Sequence, residues 1–433
     1  MRLRSSLLAL CLASPVAAQQ PAPPTGPVTA IRAARMVDTR KGTVVQNAVV
    51  LVQGGRITAA GANVAVPAGA TTIDLGDATL LPGLIDSHTH LLQNYDEALQ
   101  GDDPNMLLTV STMSTAKRAL LGAAMGREDL EAGITTVRDV GNSGWNGDVA
   151  LRDAINAGWV VGPRIRASTR ALSAAGGQFG GVQAELQKVI DQEYAVISGV
   201  EEARRATRQA FYDGADLIKV IVNTGPRIVS LEELKTIVEE AHRVNRTVAA
   251  HAIGDLPTRI AAEAGVSSIE HGYTIPDDVL KMMAEKHIYL VPTDFPNEFY
   301  VDPKLPAAER AQRLAGVERF TKGSRERLAR AVKMGVPIAY GSDSYYAHGN
   351  LTRGQTSLQP FLAYAESGMT PMQIIQAATV NAADLVGWGK RVGALEPTFL
   401  ADIIAVKGDP TKNIAILAAG ASFVMKGGVI VKR

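Results

Sequence analysis

The chain has 433 residues, 46% hydrophobic and 20% charged, a balance that excludes a disordered chain and suffices for one large domain and a small one. Its formal net charge of +1 at pH 7 leaves no basic surplus for nucleic acid and no like-charged tail for a partner.

The N-terminus reads as a targeting segment. Met1-Arg2-Leu3-Arg4 is a short basic start, residues 5–13 form an apolar run, and Val16-Ala17-Ala18 fits the small-residue cleavage pattern. The expectation is a signal peptide over 1–18, a flexible leader over 19–27 and a periplasmic or secreted mature protein. A buried N-terminal helix is the other reading of this stretch. The apolar run is too short for a stable bilayer span. Leu10 is too large for a good lipoprotein cleavage site before Cys11, so no stable membrane anchor is expected. Cys11 is the only cysteine. Removing the segment leaves neither a disulfide nor a thiolate metal ligand.

From Val28 to Leu81 short apolar runs alternate with Gly and Pro, as in AVVLVQGGRITAAG, which predicts strands with tight turns at sites such as Gly54-Gly55. The C-terminal stretch has the same style (ADIIAVKGDP, FVMKGGVIVKR). Residues 28–81 and 391–433 are therefore expected to share one small β-domain. Between them, strand-like runs alternate with helical ones such as 231–245, which opens after Ser230, and 277–287. The runs at 84–90, 134–140, 164–168, 215–222, 247–253, 267–272, 288–293 and 336–343 make eight strands. His88 and Asp343 lie 255 positions apart, close to the roughly 250 residues of a (β/α)8 barrel. The predicted fold class is α/β: a (β/α)8 TIM barrel over 82–390 with a small β-sandwich domain formed by both termini.

Four of the seven histidines, His88, His90, His251 and His271, end strand-like runs, where a barrel collects its active site. His242, His287 and His348 fall on helices or in a loop. His88 and His90 are two apart on a strand, so both rings point the same way and can reach one cation. Such a pair is a weak motif alone and gains weight from ending an apolar strand after Pro82-Gly83. Lys219 lies in Leu217-Ile218-Lys219-Val220-Ile221, a run that reads as buried. A buried ammonium must find a partner, reach solvent, or lose its proton. A neutral amine can also add CO2 and become an anionic oxygen ligand, a reading the neighbouring histidines favour. Asp343 could cap a helix, or could ligate a metal and take a proton from bound water. Arg138-Asp139 reads as a structural pair at a strand end.

The stretch Pro-Gly-Leu-Ile-Asp-Ser-His-Thr-His (82–90) is similar to the opening motif of the amidohydrolase superfamily. The resemblance runs from about Val28 to the C-terminus. It is nearest to the imidazolonepropionase-related branch, which includes Xaa-Pro and other Xaa-amino-acid dipeptidases and ochratoxin-type amidases. Residues 135–139, 269–272, 341–343 with His348-Gly349, and 369–371 with 381–383 carry that likeness. It implies two divalent metal ions, with zinc expected. One would be held by His88, His90 and Asp343, the other by His251 and His271, and CO2-derived carboxylation would make Lys219 their bridge. Asp343 would also be the catalytic proton carrier. Two loops depart from the branch: Gln178 stands where it often has a histidine, and Thr224-Gly225-Pro226-Arg227 where it tends to have a second glycine.

Substrate contacts are expected from Gln178, Arg227, Tyr273 and His348, which follow strand ends, and more weakly from Tyr95. Arg227 could pair with a carboxylate, although each of these residues could equally be an ordinary loop residue. The expected activity is hydrolysis of a C–N bond in a small amide or peptide, such as a dipeptide or an N-acyl amino acid. A ring-opening hydrolase of a cyclic amide, imide or lactone is the alternative, since only substrate loops separate the two. A non-catalytic periplasmic metal-binding protein is the reading from another class. No nucleic-acid partner is expected, and a homo-oligomer is compatible with the sequence.

Overall fold

The computed structural model describes residues 25–95, 102–302 and 304–433. The expected signal peptide and most of the leader lie outside these residues. Five strands open the fold: β1 (Thr29–Asp38), β2 (Thr43–Gln53), β3 (Arg56–Ala62), β4 (Thr71–Asp74) and β5 (Ala78–Pro82). β1, β2 and β3 form an antiparallel meander, and β4 and β5 join β1 in parallel. The β2–β3 turn puts Gly54 at φ 55° and Gly55 at φ 75°. Two successive positive φ angles suit a two-residue hairpin, and a Cβ on Gly55 would lie 2.8 Å from the Gly427 carbonyl.

Only Gly83 separates β5 from the barrel. A Cβ there would fall 2.1 Å from Thr135 Oγ1, so the crossing from sheet to barrel requires glycine. The middle of the chain then gives β6 (Leu84–Thr89), β7 (Ile134–Asp139), β8 (Arg164–Ala167), β9 (Ala171–Ser173), β10 (Tyr194–Val196), β11 (Ile218–Ile221), the short hairpin β12 (Asn223–Thr224) and β13 (Arg227–Ile228), then β14 (Val248–Ala252), β15 (Ser268–His271) and β16 (Tyr289–Val291). β6, β7 and β8 pair in parallel, as do β9, β11, β14, β15 and β16. β8 and β9 are one barrel strand, interrupted where Thr169 turns to φ 61° and gives its N–H to Asp148 Oδ2 at 2.8 Å.

The eighth strand, expected over 336–343, is held by isolated bridges, Leu290 to Ile338 and Thr89 to Ser344, in place of a continuous ladder. Gly341 is the reason the chain can still close on β6, since a Cβ there would lie 2.4 Å from Val291 Cγ1 and 2.7 Å from His88 Cβ. Ser342 and Asp343 both donate backbone N–H to the His88 carbonyl, at 3.1 and 2.7 Å. Asp86 Oδ1 accepts the Ser342 N–H at 3.0 Å. The helix Leu231–Arg243 begins with a capping box between Ser230 and Glu233, the cap expected from the sequence.

The C-terminus returns as β17 (Ile403–Lys407), β18 (Phe423–Lys426) and β19 (Val429–Lys432), and β17 pairs antiparallel with β5. Both ends of the chain thus share one sheet, whose core includes Ile31, Val50, Leu80, Ile403 and Phe423. Arg164, which opens β8, binds Asp402 at 2.8 and 3.0 Å and ties this sheet to the barrel. The fold is a (β/α)8 TIM barrel with a small β-sandwich domain. Among the described residues no helix is long and apolar enough to cross a membrane.

Candidate metal centre and active site

The strand ends converge as the alternation of side chains requires. His88 lies near the end of β6 and His90 just past it, two residues on, and both rings enter one cluster. On β11 and β14, Lys219 and His251 stand one step above Leu217 and Ala249, which pack together with Val140. The His88 and His90 rings lie 5.3 Å apart, His88 and His271 4.9 Å, and His251 and His271 4.7 Å. Lys219 Nζ is 3.5 Å from His88 Nε2. Asp343 reaches into the cluster, with Oδ1 3.2 Å from His90 Nε2 and 3.5 Å from His88 Nε2. All six sequence-predicted residues of this group therefore meet at one end of the barrel. Donor atoms of His88, His271 and Asp343 lie within 4.8 Å of one another, a spacing that one metal ion can span.

The outer contacts select which ring nitrogen faces inward. His88 Nδ1 lies 2.7 Å from Glu270 Oε2 and His90 Nδ1 lies 2.9 Å from the Gly141 carbonyl. Carboxylates and carbonyls only accept, so each Nδ1 carries the proton and each Nε2 presents a lone pair to the centre. His271 Nδ1 lies 2.8 Å from Thr293 Oγ1. Glu270 is itself held by Arg138 Nη2 at 2.7 Å and Ser268 Oγ at 2.5 Å. Arg138 thus pairs with Glu270 and not with its neighbour Asp139, contrary to the sequence expectation. Asp139 accepts the Leu91 N–H at 2.8 Å and the Ser143 hydroxyl at 2.9 Å. Three strand ends carry left-handed residues that are not glycine: His271 at φ 62°, Thr293 at φ 58° and Asp343 at φ 54°. Such conformations are costly, most of all for β-branched Thr293, and they cluster where packing holds a side chain in a required direction.

Burial sets the electrostatics. It lowers His88 to about 4 and His251 to about 3, with Lys219 adding to both shifts, and holds His271 well below its ordinary value. All three imidazoles are neutral near pH 7, the form that binds metal. Burial also lowers Lys219 to about 8, against the pull of Glu270 and Asp343. For Asp343 burial acts upward, but His88, His90 and His271 outweigh it and keep the carboxyl well below the usual carboxylate range. Asp343 Oδ1 is shielded from solvent and has no hydrogen-bond partner of good geometry among the described residues. A shielded, unbonded carboxylate oxygen amid neutral nitrogen donors fits a divalent cation.

A cavity of about 400 Å³ opens on this cluster. Of the expected substrate contacts, Gln178 and Tyr273 line it and Arg227 and His348 do not. Arg227 donates to the backbone carbonyls of Ala175 at 2.7 Å and Phe179 at 2.8 Å, so its guanidinium clamps the loop that carries Gln178. The His348 ring packs on Phe299 at 4.0 Å. Tyr95 does line the cavity, together with Tyr345, which the sequence reasoning missed. Glu270 was missed as well; its one local signal was a carboxylate directly before His271 at a strand end.

Residues 79–431 match the amidohydrolase family. Ochratoxinase from Aspergillus niger is 33% identical over 383 residues, covering 82% of this chain and 75% of that one. Imidazolonepropionase from Caldanaerobacter subterraneus subsp. tengcongensis is 24% identical over 392 residues, covering 85% and 86%. A crystal structure of a Xaa-Pro dipeptidase with methionine bound in its active site superposes with a TM-score of 0.78 at 29% identity, covering 94% of this chain and 100% of that one. The chain belongs to the amidohydrolase family and is a hydrolase acting on C–N bonds.

Proposed function

We propose that the chain is an exported, binuclear metal-dependent hydrolase that cleaves the amide bond of a small substrate such as a dipeptide or an N-acyl amino acid. One observation carries this reading. The Nδ1 atoms of His88 and His90 are both engaged, which turns two Nε2 lone pairs toward the unbonded Oδ1 of Asp343. His88, His90 and Asp343 would hold one ion, His251 and His271 the other, and Lys219, carboxylated by CO2, would lie between them. Nitrogen and oxygen donors without thiolate suit zinc. When bound, such a pair of ions supplies acidified water and a polarised carbonyl.

The chain's own residues do the rest. Asp343, ionised and pointed into the centre, takes a proton from the attacking water and passes it to the leaving amine. Glu270 holds the His88 ring in place. Gln178 and Tyr273 border the cavity and orient the substrate. The names of the relatives, a dipeptidase among them, support an amide of this size.

The test is turnover of the mature protein, loaded with zinc, against dipeptides, N-acyl amino acids and lactones, beside metal analysis. Release of an amine with two metals per chain is expected. A fully loaded protein that opens lactones and leaves every amide intact would overturn the reading. Export is tested by N-terminal sequencing of periplasmic material, where a start near Gln19 is expected and an intact Met1 in the soluble fraction refutes it.

A further inference from the structure

The loop that follows Asp343 turns back on itself through one side chain. Arg353 opens the short helix Arg353–Thr356, which a capping box between Thr352 and Gln355 starts. Gly354 lets this helix lie against the helix Thr115–Ala132, since a Cβ there would fall 2.2 Å from the Glu128 carbonyl. The Arg353 N–H donates to Glu128 Oε2 at 2.7 Å. The residue is 1% exposed, and its side chain runs inward to the seam between the first and the eighth barrel strands.

The guanidinium has three partners there. Nη1 donates to Asp129, a fully buried carboxylate on the same long helix. Nη2 donates to Thr89 Oγ1 and to the Ser344 carbonyl, the latter at 2.8 Å. Thr89 stands between His88 and His90, and Ser344 directly follows Asp343. Thr89 and Ser344 also face each other in an isolated bridge, where the eighth strand has no continuous ladder. A single nitrogen of Arg353 thus holds both sides of the seam across which Asp343 meets the two histidines.

We propose that Arg353 is a positioning residue for the reaction, setting Asp343 against His88 and His90 by fixing the seam between Thr89 and Ser344. Arg353 does not line the cavity, so it acts through the residues on either side of it. The fork matters here more than the charge. A guanidinium holds Asp129 on one nitrogen and both strands on the other, whereas a lysine ammonium keeps the charge beside Asp129 but gathers its donors at one point. The consequence for metal binding rests on the binuclear reading; the placement of Asp343 does not.

The experiment uses the full chain with Arg353→Lys, and with Thr89→Val as a milder variant that removes one arm only. Hydrogen exchange is followed with chelator present at residues 340–346, where the Ser342 and Asp343 amides donate to the His88 carbonyl. Residues 247–253, which carry His251, serve as the reference. Zinc is then titrated calorimetrically into each chain. In Arg353→Lys, exchange at 340–346 should rise roughly tenfold or more, the scale of one charge-assisted hydrogen bond, and keep the parental rate at 247–253. Thr89→Val should move the same segment less, and it carries the test if the lysine variant does not fold. Zinc affinity should fall roughly 10–100-fold at one of two sites, as when a ligand's outer support is altered. Parental exchange at 340–346 in the variants that fold overturns the proposal. So does an equal rise at 247–253, which marks general loosening, or undiminished zinc affinity with the seam opened. A parent chain that takes up no zinc defeats the binuclear reading instead, and exchange at 340–346 then decides the role of Arg353 by itself.

Discussion

His88 Nδ1 lies 2.7 Å from Glu270 Oε2, and the other oxygen of the same carboxylate binds Arg138 at 2.7 Å. One buried acid thus fixes a candidate metal ligand and neutralises a fully buried guanidinium. Burial alone would raise the Glu270 carboxyl, but Arg138 and His88 overcome it and hold it below its ordinary value. Glu270→Gln keeps an oxygen acceptor for His88 and leaves Arg138 without its charge partner. Removing one member of a buried pair costs about 3–5 kcal/mol, and altering a ligand's outer partner lowers metal affinity about 10–100-fold. Calorimetric zinc titration beside thermal melting checks both. Unchanged affinity and melting would show that Glu270 does neither job.

A second expectation concerns Lys219, which is 2% exposed and 3.5 Å from His88 Nε2. A bare ammonium is poorly placed among so little solvent, and burial brings its pKa to about 8. A sizeable share of the amine is then neutral near pH 8 and able to add CO2. Lys219→Ala should lose metal affinity by at least the roughly 10–100-fold typical of losing an outer partner, and most turnover with it. Short carboxylic acids added to the variant should restore part of both, because they return an anionic oxygen to the vacated space. Full metal occupancy and parental turnover without any acid would refute the bridging role.

The barrel and the centre of the site were legible because they rest on short-range periodicity. His88 and His90 are two apart on a strand, and Lys219 is conspicuous as the one charge in an apolar strand. What could not be read depends on contacts across the fold. Arg138 sits beside Asp139 in sequence, and its true partner Glu270 is 132 positions away. Arg227 follows a strand end like a substrate contact, but the Ala175 and Phe179 carbonyls meet it first. Tyr345 follows the last strand, and only closure of the barrel brings its ring to His90. The eighth strand was legible as an apolar run, whereas its replacement of a ladder by bonds to Asp86 and to the His88 carbonyl was not.

A third expectation concerns pH. Asp148 is fully buried, accepts the Thr169 N–H at 2.8 Å and the Val149 N–H at 2.9 Å, and is raised to about 7, chiefly by burial and then by Asp139. The folded state therefore binds this proton more tightly than the unfolded state, whose value is near 3.8. Stability from this group is fully present below the unfolded value and is lost as pH rises through about 7. Asp148→Asn cannot ionise, and it gives up one acceptor at a cost of about 1 kcal/mol that does not vary with pH. The variant should melt slightly below the parent at pH 4 and above it at pH 8, both measured with chelator present. A melting difference that stays constant from pH 4 to pH 8 would show that Asp148 does not titrate in the folded chain over that range.

The last expectation separates chemistry from folding at Asp343. Its Oδ1 is unbonded and shielded, its backbone is left-handed at φ 54°, and its N–H donates to the His88 carbonyl at 2.7 Å. The backbone bond and the packing of Gly341 against Val291 and His88 fix this strand end, and neither needs the carboxylate. Asp343→Asn retains the size, an oxygen donor and a residue tolerant of left-handed φ. Melting should therefore stay within a degree or two of the parent in the presence of chelator, an order-of-magnitude expectation for a rim residue outside the packed layers. Turnover at saturating zinc should fall on the order of 10²–10⁴-fold, the contribution of a positioned proton carrier. Because a neutral carboxamide also binds metal less well, zinc content must be measured on the same sample. If the variant holds two metals and works like the parent, Asp343 does not carry the proton. If it fails to fold even with the metals removed, the carboxylate is structural, and its place among the neutral imidazoles reflects the closure of the barrel and not its chemistry.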